Sequence, residues 1–209
     1  MALSPLKVEH AAETDFESEH KIVKFVVVKK REEDPAQKDE LGSFEAVLLP
    51  HLDAAHNLAK WLLRNEEDAQ DVVQEAYLRA FKSFSGFHGS NGRAWLLTIV
   101  RNTSYTLLKR NRAADLTTTF NEEIHQSGDE ALSPAIILER SEDADLVRET
   151  MDKLPVDFRE ILVLRHLEGL SYNEIADIVQ VPSGTVMSRL SRARGKLKEC
   201  LAARIGKEK

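Results

Sequence analysis

From Phe44 onward the apolar residues fall at helical spacing. In "FEAVLLPHLDAAHNLAKWLLRN", Leu48, Leu52, Ala55, Leu58, Ala59 and Leu62 share one helical face. Pro50 either opens a new helix within this run or kinks one. Asn65 is a capping residue, and Glu66, Glu67 and Asp68 follow it where the helix dipole favours acids. The helix they open, "EEDAQDVVQEAYLRAFKSF", is expected to bury Ala69, Val72, Ala76 and Ala80. "SGFHGSNG" reads as a loop broken by Gly86, Gly89 and Gly92. In the next helix, "RAWLLTIVRNTSYTLLKRNR", Trp95, Ile99, Asn102 and Thr106 form one stripe, with Leu96, Val100 and Leu107 beside it. Residues 43–112 therefore make a first compact helical domain.

The pattern then lapses. Residues 113–140 are acidic, rich in Thr, Ser and Asn, and contain Pro134, the composition of a flexible linker. Helical periodicity returns for residues 141–209. "DADLVRETMDKL" is one helix, and Pro155 stands at the first turn of the next, "VDFREILVLRHLEG", which stops at Gly169. Ser171 and Glu174 have capping-box spacing, and Ile175, Ala176, Ile178 and Val179 of the helix they open point inward. Gln180-Val181-Pro182 cannot continue it, and Ser183 is expected to cap a final helix with Val186, Leu190, Ala193 and Leu197 as its buried stripe. Two short helices about a tight turn make a helix-turn-helix, whose second helix enters the DNA major groove. Ser183, Gly184 and Thr185 are small enough for DNA backbone to approach, and free amides at a helix start suit phosphate. Ser188, Arg189, Arg192 and Lys196 stand on the exposed face, and arginine there has the geometry to bind guanine. An ordinary basic amphipathic helix in a bundle is the plainer alternative.

Residues 1–42 differ from both domains. They are charge-rich, and only "KIVKFVVVKK", Lys21–Lys30, has the Val and Ile density of a strand. This N-terminal extension receives no fold and no function. The fold class is all-α: two small helical domains on a flexible acidic tether, the second a helix-turn-helix. A hydrophobic content of 42% supplies a core, while 6% aromatics and few Gly and Pro residues disfavour a β-sandwich.

The net charge of −6 conceals its distribution. No Asp or Glu occurs from Ala76 to Ala114, a stretch holding Arg79, Lys82, Arg93, Arg101, Lys109, Arg110 and Arg112. The linker reverses the sign, and the C-terminal helix is basic again. Two basic blocks fit two contacts with a polyanion, although each is also what a solvated surface presents. The single cysteine, Cys200, excludes an internal disulfide and is expected to be inert; no Cys/His cluster has zinc spacing. Neither a Walker loop, a nucleophile elbow nor a zinc His-Glu-x-x-His motif is present, so no enzyme, cofactor, metal or catalytic residue is expected. No signal-peptide pattern and no apolar run of about 20 residues is present, so a cytoplasmic protein without membrane insertion is expected.

"MDKLPVDFREILVLRHLEGLSYNEIADIVQVPSGTVMSRLSRARGKL" resembles the last domain of bacterial sigma factors of the extracytoplasmic-function (ECF) group. "DAQDVVQEAYLRAF" and "RAWLLTIVRNTSYTLLKRNR" resemble the first conserved domain of the same group, in the family's order and with its linker between. The likeness covers roughly Phe44 to Ala203. It implies a subunit that binds core RNA polymerase, at its clamp helices and flap, and directs it to promoter DNA. The first domain would melt DNA and read the −10 element, the second would read the −35 element, and an anti-sigma factor would control both.

Matching positions take roles by the same resemblance. Asp68, Asp71, Gln74 and Glu75 would contact core polymerase. Phe84, Phe87 and His88 belong to a base-capturing loop, with Arg93, Trp95, Arg101, Asn102, Lys109, Arg110 and Arg112 as the remaining −10 set. Asn102 matches a base-contacting asparagine, and Arg101, Lys109, Arg110 and Arg112 suit phosphates. Phe84 and Trp95 also read as core, and His88 as a solvated group. Ser183, Gly184, Thr185, Ser188, Arg189, Ser191, Arg192 and Lys196 form the −35 set, with Arg192 and Ser188 aimed at base edges and Thr185 and Arg189 at phosphates. Ser191 is small where some relatives are bulky, so the promoter sequence does not transfer. Two rivals are a sigma-like decoy that sequesters an anti-sigma factor and a simple helix-turn-helix regulator. The decoy would have lost its basic faces, and the regulator would not need the Asp71–Glu75 segment.

Overall fold

A computed structural model describes residues 35–89, 91–117 and 142–205, and every element within them is helical. The strand expected at Lys21–Lys30 and residues 118–140 of the expected linker lie outside the described residues.

The first helix, α1 (Pro35–Leu48), reaches back from Phe44 into the stretch assigned to the N-terminal extension. Its early turns, "PAQKDELGS", carry no apolar stripe, so periodicity gave no signal there. A 3₁₀ turn, Leu49–His51, joins it to α2 (Leu52–Leu63), with Pro50 near the start of the turn, where a missing N–H costs nothing. α3 spans Glu66–Ser83, and the Asn65 side chain accepts the Asp68 amide at 2.9 Å, as the cap requires. A second 3₁₀ turn, Phe84–Gly86, leads through the loop to α4 (Gly92–Thr117). Asn91 opens α4 by accepting the Ala94 amide at 2.9 Å. Helices α2, α3 and α4 pack pairwise, and α1 lies against α4. Gly92 makes this crossing possible, because a Cβ there would come within 2.6 Å of the Val47 side chain.

The core matches most of the expected stripe. Leu48, Leu52, Ala55, Leu58, Ala59 and Leu62 are buried, as are Ala69, Val72, Ala76 and Ala80. Phe44 lies at its centre, edge-on to Tyr77, Phe81 and Phe84 with centroids 5.2–6.3 Å apart. The expected stripe of α4 requires correction. Asn102 and Thr106 are exposed, Trp95 and Ile99 are half-buried, and the core is met by Leu96, Leu97, Val100, Thr103 and Ser104. The two buried hydroxyls donate to the Ile99 and Val100 carbonyls one turn back, at 2.9 Å each, which removes the cost of burying them.

Tyr77 donates from its buried hydroxyl to the Leu48 carbonyl at 2.8 Å. That carbonyl ends α1 and is one of the acceptors a helix terminus leaves over. Burial, helped by the Asp53 charge, raises the phenol above its ordinary pKa, so it stays a donor at any physiological pH. Tyr77→Phe leaves a buried acceptor unpaired. Urea titration of the variant is expected to show a loss of about 1–3 kcal/mol.

In the second domain α5 is Glu142–Asp152 and α6 is Val156–Leu162, continued by a π-helical turn over Val163–Leu167. Periodicity had suggested one uninterrupted α-helix. The Glu168 amide instead reaches the Val163 carbonyl at 3.0 Å, and the Leu170 amide reaches Leu164 at 3.0 Å around Gly169, whose φ is +66°. This left-handed closure needs glycine. Then α7 (Tyr172–Val179) and α8 (Ser183–Ile205) form the helix-turn-helix. The capping box is complete: Ser171 Oγ accepts the Glu174 amide, and Glu174 Oε2 accepts the Ser171 amide at 2.9 Å. Gln180 ends α7 in the left-handed region at φ 55°. Ser183, expected as the cap of α8, is instead its first residue. The Pro182 carbonyl accepts both the Thr185 and Val186 amides, at 2.8 and 3.1 Å, because proline lacks a donor but keeps its acceptor. Ile175, Ile178, Val179, Val186, Leu190 and Ala193 are buried. Helices α5, α6 and α7 all pack on α8.

The domains also pack on one another. α4 lies against α7, and α2 against α6.

Candidate nucleic-acid interface

The exposed surface of α8 is the better separated of the two candidate DNA faces. Ser188, Ser191, Arg192 and Lys196 are exposed, Gly184 is open, and Ser183, Thr185 and Arg189 are half-buried at the helix start. The Arg192 Nε makes one long contact, 3.4 Å to the Ser188 carbonyl on its own helix. Its guanidinium is therefore available to a base edge at little cost. The opposite face of α8 carries Val186, Leu190 and Ala193 into the core. One helix thus displays polar side chains on a packed support.

The first domain divides its candidates differently. Asn102, Lys109, Arg110 and Arg112 are exposed along α4, and His88 is exposed on the loop. Phe84, Phe87 and Trp95 are half-buried and engaged with each other. Phe87 stacks on Trp95 at 4.6 Å and on Phe84 at 6.1 Å. They form an aromatic platform that joins the core through Phe44 and presents its outer edge at the loop. Its stacking surface is the kind an unpaired base uses. On α3, Asp71 and Glu75 are exposed and Asp68 and Gln74 half-buried, with Glu75 accepting from Arg79 Nε at 2.7 Å.

Arg93 and Arg101, both expected among the −10 DNA contacts, are occupied by carboxylates of the second domain. Arg101 Nε donates to Glu160 Oε1 at 2.6 Å, and Arg93 Nη2 to Glu168 Oε2 at 2.5 Å. Glu160 is fully buried, and Tyr105 donates to its other oxygen at 3.3 Å. Burial pushes the Glu160 carboxyl up from its ordinary range, and the charge and hydrogen bond of Arg101 oppose this. Arg189, from α8, also attracts the Glu160 carboxylate. At the edge of the interface Asn91 Nδ2 donates to Glu174 Oε1 at 3.1 Å, and Arg64 Nη2 to the Leu154 carbonyl at 3.2 Å. Arg159 is buried beside them, its Nη1 3.6 Å from Asp152, and burial together with the Arg64 charge lowers its pKa to about 10.

Glu160, Glu168 and Asn91 were not read as functional in the sequence. Asn91 had a signal, because an asparagine directly before a helix start is a preferred cap. Glu160 had a weaker one: helical spacing places it on the same face as Leu164, where a carboxylate must find a partner.

Residues 48–114 match the family model described as Sigma-70 region 2, and residues 144–197 match that for Sigma-70, region 4. The RNA polymerase sigma-H factor of Pseudomonas aeruginosa is 33% identical over 172 residues, which are 79% of this chain and 89% of that protein. The chain belongs to the ECF group of RNA polymerase sigma factors. The ECF RNA polymerase sigma-E factor of Escherichia coli K12 is 37% identical over 134 residues, 61% of this sigma factor and 70% of that one. The solved sigma factor RpoE from Bartonella quintana, in complex with the anti-sigma factor NepR, superposes with a TM-score of 0.62 and 34% identity, covering 77% of this chain and 97% of that one. As a sigma factor the protein directs promoter-specific transcription initiation and has no catalysis of its own. Among the described residues no helix is long and apolar enough to cross a membrane, and no group of His, Cys, Asp and Glu is placed to hold a metal ion. Cys200 is a free, half-buried thiol.

Proposed function

We propose that the two modules of this sigma factor divide promoter reading between them: the 43–112 domain opens and reads the −10 element, and the 141–209 domain reads the −35 element. The observation that carries this is the pairing, in one chain, of a basic helix beside an aromatic platform with a helix-turn-helix whose Arg192 and Ser188 are exposed on its outer face. Phe84, Phe87 and Trp95 offer stacking for an unpaired base, Asn102 a base-edge contact, and Lys109, Arg110 and Arg112 phosphate contacts. On α8, Thr185 and Arg189 take phosphates while Ser188, Ser191 and Arg192 take base edges. Run-off transcription with purified core polymerase on a fragmented genomic library tests the reading: transcripts that depend on the chain support it, and their absence overturns it.

Core polymerase is bound through the acidic face of α3, where Asp71 and Glu75 are one helical turn apart and open to a basic partner. Reversing both charges, Asp71→Lys with Glu75→Lys, is expected to weaken core binding by at least about tenfold, or about 1.4 kcal/mol. Fluorescence anisotropy against core enzyme reads the loss, and thermal melting should change little, because both side chains are exposed and the one pair lost, Glu75 with Arg79, lies on the surface. The factor acts in the cytoplasm with polymerase. Its likeness to a sigma factor solved with an anti-sigma factor supports control by a partner of that kind.

A further inference from the structure

The cations that the first domain would offer to DNA are divided. Lys109, Arg110 and Arg112 face solvent, whereas Arg93 and Arg101 are held by carboxylates of the second domain. The pairs are separated by 75 and 59 residues of sequence and belong to different modules. The geometry resembles phosphate recognition in both cases, a guanidinium N–H directed at an anionic oxygen. Glu160 draws on both DNA sets, since it accepts from Arg101 and Tyr105 on α4 while attracting Arg189 on α8. The same closure places α7 against α4 and ties Glu174 to Asn91. In a helix-turn-helix the first helix crosses the DNA backbone as the second enters the groove. Here that first helix is α7, and its approach is taken by the first domain.

We propose that the free chain is held shut by its own acidic residues: Glu160 and Glu168 occupy Arg101 and Arg93 in the place of DNA phosphates, and these two cations of the first domain are released only when the domains part. This rests on the reading of Arg93 and Arg101 as −10 DNA contacts. The closed form is a competitor of DNA within one molecule, so a ligand that binds only the open form must overcome the latch through its differential affinity. Polymerase, by engaging the domains separately, would provide that difference. The latch would also limit nonspecific DNA binding by the free chain.

The test uses the full chain with donor and acceptor dyes on Gln70→Cys in α3 and Glu199→Cys in α8, in a Cys200→Ser background. Glu160→Gln with Glu168→Gln keeps side-chain shape and removes both charges. The expected result is a fall in energy transfer in the free chain and about a tenfold gain in its affinity for a promoter fragment, equal to about 1.4 kcal/mol. Because Glu160 is fully buried, the single variant Glu168→Gln and the exchanged pair Arg93→Glu with Glu168→Arg accompany it, each checked by circular dichroism. Glu168→Gln should lower transfer in part, and the exchanged pair should restore it. Unchanged transfer in all variants overturns the latch. Lower transfer with no gain in DNA affinity overturns its role as a DNA competitor. Neither result touches the sigma-factor reading, which fails only if the unaltered chain with core polymerase yields no transcript.

Discussion

Arg192→Ala is expected to abolish most promoter-specific transcription while leaving the fold and polymerase binding as they were. A bidentate arginine contact with a base contributes about 1–3 kcal/mol of discrimination, so the expected loss is roughly tenfold to hundredfold in transcript yield at subsaturating factor. The structure makes this a clean measurement. Arg192 is exposed, and among the described residues its contact is a long one to the Ser188 carbonyl, so little packing is lost with it. Run-off transcription on a single promoter reads the loss. Binding to core polymerase and the urea midpoint serve as controls that should not change. A variant as active as the parent at limiting concentration would remove Arg192 from base recognition and return attention to Ser188 and Ser191. A phosphate ligand on the same helix behaves differently. Its loss weakens binding to every sequence alike and lowers the salt dependence.

The second large effect arises from the opposite face of the same helix. Leu190 is 2% exposed, within the core that α8 shares with α6 and α7. Leu190→Ala removes apolar contacts and leaves a cavity, at a cost of about 2–5 kcal/mol. Small domains hold only about 5–15 kcal/mol of stability in total, so the second module should be partly unfolded at growth temperature. The expected signature is a lower urea midpoint for the second module, with transcription lost on warming and recovered on cooling. Arg192→Ala should show neither. The two variants lie within one turn of each other, and separating their outcomes separates the reading surface from its support. If Leu190→Ala left the midpoint unmoved, the packing of α8 described above would be wrong.

Much of this molecule was legible one element at a time. The Asn65 cap, the Ser171–Glu174 capping box, the stop at Gly169 and the buried stripe Val186, Leu190 and Ala193 depend on residues within a few positions of each other. Short-range spacing fixes such features because neighbours in sequence are neighbours in a helix. Where spacing misled, a local polar detail had intervened. Thr103 and Ser104 entered the core of α4 because their hydroxyls bind carbonyls one turn back, and Pro182 displaced Ser183 as the cap of α8, its carbonyl accepting the Thr185 and Val186 amides. The π-helical turn at Val163–Leu167 had no sequence signal in the periodicity. The family resemblance supplied roles for residues such as Asn102, which spacing alone would have left as one exposed polar group among many.

The sequence by itself determined the two helical modules, their caps, most of their buried faces and the charge blocks that point to DNA and polymerase. Tertiary structure decided which of those charges are free. Arg93, Arg101, Lys109 and Arg112 look equivalent along an acid-free stretch, yet the first two are joined to Glu168 and Glu160 and the other two face water. A charge carries no record of its distant partner in the residues beside it. That partner is set by the packing of α4 on α7 and of α2 on α6, which brings together positions more than fifty residues apart.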